Sequence, residues 1–233
     1  MIDNRRLRLA ERVRGLLEEG AVGARFAVGY LFLEGLAPLR DEIAHLDDVQ
    51  ILIGNVVNRL TDEQVREEAD ARRRAGETSL GEMVRDQEDL AAGLRETHSQ
   101  ASALTGLNLR RTLAEMEHSP ENQSLLLTIA QRIVGGHFKV RVYTQGRIHA
   151  KLTLLTYADK SPLAIVGSSN LTLAGPGHPT EMNVIVRDEA NVAALAVWYQ
   201  EIWEASQDFQ RELFEEIGQC WAMQSPNTNS DAH

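Results

Sequence analysis

An α/β fold follows from three observations. β-rich apolar segments stand near both ends of the chain, long helical patterns lie between them, and the first sheet signals come in the order strand, helix, strand. That order builds a mostly parallel sheet. The polar helical stretch in the middle then reads as an insertion between strands. The expectation is a single α/β domain over residues 1–223, a mixed sheet flanked by helices, with an inserted helical subdomain at about 61–135 and a disordered tail at 224–233.

Each element has its own signal. Leu7, Val13, Leu16 and Leu17 recur at helical spacing over about 3–19, and Gly20 stops that helix. "RFAVGYLF" (25–32) reads as a buried strand, "LEGLAPLRDEIAHL" (33–46) as a helix and "DVQILIGNV" (48–56) as a second strand. "TDEQVREEADARRRAG" opens on a Thr cap. "SPENQSLLLTIAQRIVGG" has Ser119 as cap, Pro120 in the first turn and Gly135 as stop. Strand signals return at 137–144, 148–157, 163–169 and 181–188, and a final helix is expected from about Glu189 to Gly218. The tail is rich in Ser, Asn and Pro, a composition that cannot bury enough apolar surface to order itself.

Composition bounds the function. A formal charge of −10 over 233 residues argues against a surface that coats nucleic acid as a whole, while leaving room for a local basic groove. The single Cys220 excludes an intramolecular disulfide and any cysteine-built metal centre. No apolar run reaches membrane-spanning length and the opening residues lack a signal-peptide core, so a cytoplasmic protein is expected. His45, His98, His118 and His137 show no metal-ligand spacing and read as structural, and His178 as a loop residue. The arginines at 5, 6, 8, 12 and 14 and at 72–74 read as solvated helix faces rather than nucleic-acid contacts.

The chemistry gathers in "GRIHAKLTLLTYADKSPLAIVGSSN" (146–170). On a strand, side chains alternate between faces, so His149, Lys151 and Thr153 share one face and Ile148, Ala150, Leu152 and Leu154 the other. Two ionisable groups on an otherwise buried strand are costly unless they face a site. The following strand ends in Gly167-Ser168-Ser169-Asn170, a small-residue turn that lets a backbone approach a phosphate, and Glu181 opens the next strand. Such a set suits phosphodiester chemistry. An imidazole can attack phosphorus and later be displaced by water, Lys and an Asn amide can hold the non-bridging oxygens, and a carboxylate can orient the imidazole. Ser168 and Ser169 either contact phosphate or only form the turn. Lys139, Arg141, Arg147, Lys151 and Lys160 against Asp159, five positive groups less one negative, leave +4 over 136–160, as a polyanionic substrate requires.

His149-Ala-Lys151, the Gly167–Asn170 turn and Glu181, in this order and spacing, resemble the phospholipase D superfamily, and especially its metal-independent nuclease branch. "VGYLFLEGLAPLRDEI", "VQILIGNVVNRLTDEQ", "VRVYTQGRIHAKL" and "AIVGSSNLTLAG" resemble the phospholipase D-like domains at the N-terminus of bacterial SNF2-type helicases; the likeness leaves out the helices at 62–117. One departure is Thr156, which stands where the full family motif has Asp. Another is number: the family's enzymes use two such motifs and this chain carries one. The resemblance therefore implies a homodimer that shares its site, with no metal and no cofactor. It further implies catalysis by His149, Lys151, Asn170 and Glu181, substrate binding by Ser168, Ser169 and Arg147, and a nucleic acid, DNA ahead of RNA, as substrate. A helicase or ATPase partner is also implied, and no membrane. The alternative is a nucleic-acid-binding module of a helicase or defence system with little or no catalysis.

Overall fold

The computed structural model describes residues 2–3, 9–29, 31, 33–54, 98–145, 148, 150–168 and 182–224. Its strands are β1 (Ile2–Asp3), β2 (Ala21–Val28), β3 (Asp48–Ile53), β4 (Phe138–Val142), β5 (Leu152–Tyr157), β6 (Leu163–Gly167), β7 (Met182–Val186) and β8 (Gln207–Asp208). They form one sheet in the order β1-β7-β6-β5-β2-β3-β4-β8. The sheet is mixed as expected: β2, β3 and β4 run parallel, and the other pairings are antiparallel. Two-residue strands at both edges leave little unpaired ladder exposed.

Parallel neighbours need crossovers, and the helices supply them. Helix α1 (Leu9–Leu17) precedes β2 and ends at Gly20, whose φ of +93° favours glycine. Between β2 and β3 the expected helix at 33–46 is instead a 3₁₀ helix, Leu33–Leu39, followed by the single turn α2 (Arg40–Ile43). Pro38 is the reason. It has no N–H, and its ring crowds the carbonyl four residues back, so α-helical bonding resumes only beyond it.

The crossover from β3 to β4 contains α3 (His98–Glu115) and α4 (Pro120–Val134). Helix α4 starts as the sequence implies, with Ser119 Oγ accepting from the Asn122 N–H at 3.2 Å and Pro120 in the first turn. Gly135 caps its end in right-handed geometry, and the left-handed residue is Gly136 at φ +73°. This described half of the helical insertion is continuous with the main core, since Leu109, Leu113, Met116, Leu125, Leu126 and Ile129 all belong to it. Residues 55–97, where the rest of the expected insertion falls, lie outside the described residues.

The expected final helix is broken. Helix α5 spans Glu189–Glu204 and α6 spans Gln210–Gln219. Between them β8 pairs with the edge of β4, Arg141 opposite Asp208 and Val142 opposite Gln207. Asp208 Oδ1 accepts from the Gln210 N–H at 3.0 Å, and Phe209 is fully buried. The break thus recruits a sheet edge and a core aromatic. Trp221–Gln224 adds one helical turn, α7; the rest of the expected tail, 225–233, lies outside the described residues.

The two faces of the sheet are covered unequally. On one face Phe26, Ile51, Val140 and Leu155 meet α1, the 3₁₀ helix, α3, α4 and α6. On the other Ala27, Leu52, Leu152, Leu154 and Ala164 meet Val192, Tyr199 and Trp203 of α5.

Candidate active site

Lys151 stands one residue before β5, and its carbonyl continues the ladder by accepting from the Gly167 N–H at 3.3 Å. The registers Ile2 to Asn183 and Gly167 to Asn183, with Val28 next to Ile53 and Ile53 next to Val142, put these residues in one row across the sheet. Lys151 completes it between Gly167 and Val28, because Leu152 pairs with both Val166 and Ala27. Row members share a face, and Ile2, Val28, Ile53 and Val142 all belong to the larger core. Lys151 therefore points into the thickly covered face, at the C-terminal end of the parallel strands, where open α/β sheets place their ligands.

Among the described residues, three buried polar side chains gather here. Lys151 is 8 % exposed, Thr153 4 % and Asn183 2 %. Together with Leu9, Val28 and Ile165 they line a cavity of about 10 Å³, room for roughly one water. Thr153 shares the Lys151 face two residues along, as the alternation implies. Asn183 was not singled out from the sequence. Its signal was the same alternation applied to β7, which puts it two residues after Glu181.

Two glycines shape this end of the sheet. A Cβ on Gly167 would fall on Asn183 Oδ1 and the Met182 carbonyl oxygen, so the row is closed by the Asn183 side chain only because position 167 is bare. A Cβ on Gly54, just past β3, would lie 2.5 Å from the Ile148 carbonyl oxygen and 3.3 Å from that of Gly29. The bare backbone lets the chain at 148 cross close over the ends of β2 and β3.

Of the seven site residues expected from the sequence, Lys151 and Ser168 are described. His149, Asn170, Glu181, Ser169 and Arg147 lie outside the described residues. Ser168 does hold a turn. Its N–H donates to the Met182 carbonyl at 3.2 Å, and its Oγ accepts from the Met182 N–H at 3.2 Å, so it clamps the start of β7 to the end of β6. The hydroxyl proton is left available for a second partner.

The basic run at 136–160 does not converge as its spacing suggested. Lys139 and Arg141 alternate with core residues of β4 and face the thin side, where Lys139 Nζ meets Asp48 Oδ1 at 2.7 Å and Arg141 donates to the Trp203 carbonyl at 2.8 Å. The Arg141 guanidinium also lies over the Trp203 ring, 5.1 Å from its centroid. Lys160 follows β5 at the opposite end of the sheet from Lys151, paired with Glu19 at 2.7 Å; that bond holds the Glu19 carboxyl below its usual range. Charge counted along the chain is thus divided between two faces and two ends in space.

Thr156 lies near the far end of β5, against Gly23 of β2, remote from Lys151. His137 Nδ1 donates to the Asp47 carbonyl (2.8 Å), His45 Nδ1 to the Asp41 carbonyl (2.7 Å), and His118 stacks on Trp221 with centroids 4.2 Å apart. Among the described residues no group of three His, Cys, Asp or Glu is placed to hold a metal ion, and no helix is long and apolar enough to cross a membrane.

Residues 97–203 match the family model described as "Cardiolipin synthase, PLD-like domain". That segment, somewhat under half of the chain, is similar to the phospholipase D superfamily. The phospholipase D-like match opens beside α3 and closes inside α5, so it takes in Lys151, Ser168 and Asn183. It also covers residues 97–117, which the likeness read from the sequence had left out. The likeness supports phosphodiesterase chemistry of the superfamily type in its general form. No curated protein matches the chain.

Proposed function

We propose that this phospholipase D-like protein is a metal-independent phosphodiesterase, a nuclease that works through a phosphohistidine at a site shared between two chains. The observation that carries the reading is Lys151, a cation buried at the C-terminal end of the parallel strands and opposite Gly167 of the Gly-Ser-Ser-Asn turn. An ammonium at that position can hold a phosphate oxygen through charge-assisted hydrogen bonds.

In the proposed reaction His149 attacks phosphorus, the P–O bond to the leaving group breaks, and His149 of the partner subunit protonates the departing oxygen. Water then attacks the phosphohistidine, giving its proton to the second imidazole, and His149 is released. Lys151 and Asn170 hold the non-bridging oxygens as charge builds on them, and Glu181 orients the His149 ring. Arg147, Ser168 and Ser169 receive the substrate phosphate. Two imidazoles are required because the nucleophile must be unprotonated while the acid carries a proton.

Purified protein is incubated with labelled single- and double-stranded DNA and RNA in excess EDTA. Cleavage that persists in chelator and disappears in His149→Ala supports the reading. Activity that vanishes with EDTA and returns with magnesium removes it. Fully active enzyme with a light-scattering mass near 25.9 kDa, that of one chain, removes the shared site.

A further inference from the structure

Asn183 is placed by the fold beside Lys151 without any motif announcing it. The two belong to one cross-strand row, separated only by Gly167, and both line the same small cavity. The space a side chain at 167 would fill is taken by the Asn183 carboxamide oxygen, so this carboxamide extends over β6 from β7 towards β5. The residues before Asn183 in the row and those after Lys151 are apolar: Ile2 on one side, Val28 and Ile53 on the other. A carboxamide held over a bare backbone position in this row lies on the side of β7 that faces Lys151.

We propose that Asn183 is a positioning residue for the phosphodiester reaction, its carboxamide directed over Gly167 so that its oxygen steadies the Lys151 ammonium towards the substrate phosphate. This deepens the phosphodiesterase reading and rests on it for the role of Lys151. Gly167 is then part of the same device, because any larger residue would push the carboxamide out of the row.

The test reads Lys151 directly. The chain has two other lysines, Lys139 and Lys160, which serve as internal references for acetylation followed by peptide mass spectrometry. Asn183→Ala should speed acetylation of Lys151, and the isosteric Asn183→Asp, which adds a negative charge, should slow it. Each effect should reach about threefold relative to the references. Gly167→Ala should behave as Asn183→Ala does. On bis(p-nitrophenyl) phosphate, both Asn183 variants should lower kcat about tenfold, with KM held within about twofold, as for loss of a group that orients a charge stabiliser. Opposite shifts at Lys151 are the signature, since general loosening would move both variants the same way. Shifts of the same sign, or none, overturn the proposal. If Asn183→Ala does not fold, slowed labelling in Asn183→Asp decides alone. A wild-type chain that cleaves no phosphodiester overturns the proposed function, while the labelling still decides whether Asn183 steadies Lys151.

Discussion

The two faces of the sheet handle their lysines differently. On the thin face, under α5, the charged and polar groups of β3 and β4 close on one another: Asp48 accepts from Lys139 Nζ and from Gln50 Nε2, both at 2.7 Å. On the thick face Lys151 is more deeply buried than Lys139, and its row neighbours are Gly167 and Val28. A cation paired with a carboxylate on a half-open face is structural. Lys151 is sunk in the larger core, beside a glycine and two small polar side chains, where the proposed reaction would place a phosphate. The lesson is that burial together with the character of the row, and not the presence of a lysine on a strand, separates the two.

Substituting both lysines breaks or sharpens that contrast most strongly. Lys151→Ala is expected to cost about 10²–10³ in the rate of phosphodiester cleavage, as for removal of one charge-stabilising donor. Lys139→Ala should stay within about twofold, as befits a half-exposed ion pair remote from the reacting atoms. Steady-state kinetics on the pair decides it; equal losses would erase the distinction.

Gly54→Ala probes the close crossing at the site end. With a Cβ placed 2.5 Å from the Ile148 carbonyl oxygen, backbone must shift, at a cost of about 1–3 kcal/mol. Denaturant unfolding should show that loss, accompanied by reduced cleavage because the residues before Lys151 are displaced. A neutral result would mean that the crossing is loose.

The thin face holds a defect that can be repaired. Among the described residues no hydrogen-bond partner meets the buried Tyr199 hydroxyl, and burial pushes its phenol well above the ordinary range. Tyr199→Phe should therefore raise stability by about 1 kcal/mol, read as a higher denaturant midpoint, with cleavage unchanged.

The smallest effect belongs to the thick face's outer layer. Arg110 grips Glu216 with two bonds, 2.5 and 2.9 Å, tying α3 to α6, and this holds the Glu216 carboxyl below its usual range. A depressed carboxyl contributes stability above its unfolded value and loses it as pH falls through the folded one. Arg110→Ala should thus lower Tm slightly at neutral pH, and the gap should close in acid. A gap that stays constant from neutral to strongly acid pH would show that the pair does not couple the helices electrostatically.

Much of the fold was legible because local chemistry agreed with it. The strand signals at 148–157 and 163–169, the Ser119 cap and the Gly20 stop all act within a few residues, and strands at Leu152–Tyr157 and Leu163–Gly167, the cap and the stop are found there. The 3₁₀ helix was missed because apolar spacing was weighed above Pro38, and the break after Glu204 because no Gly or Pro marks it; the edge of β4, far away in sequence, and not any local signal, recruits Gln207 and Asp208. At the site, Lys151 was legible as part of a motif, whereas Asn183 was not. Its importance comes from two antiparallel registers that put it across Gly167 from Lys151.

By itself the sequence determined the α/β class, the strands that carry the motif, the face shared by Lys151 and Thr153, and the phospholipase D-like character of the segment around them. Those properties depend on side-chain period and on short motifs, which are local. Only the tertiary structure decided which face became the thick one, that the basic run would be divided between faces and ends, and that Asn183 and Gly167 would flank Lys151. These follow from strand order and register. Both are set by which apolar surfaces pack together across the whole chain, so no single stretch of residues contains them.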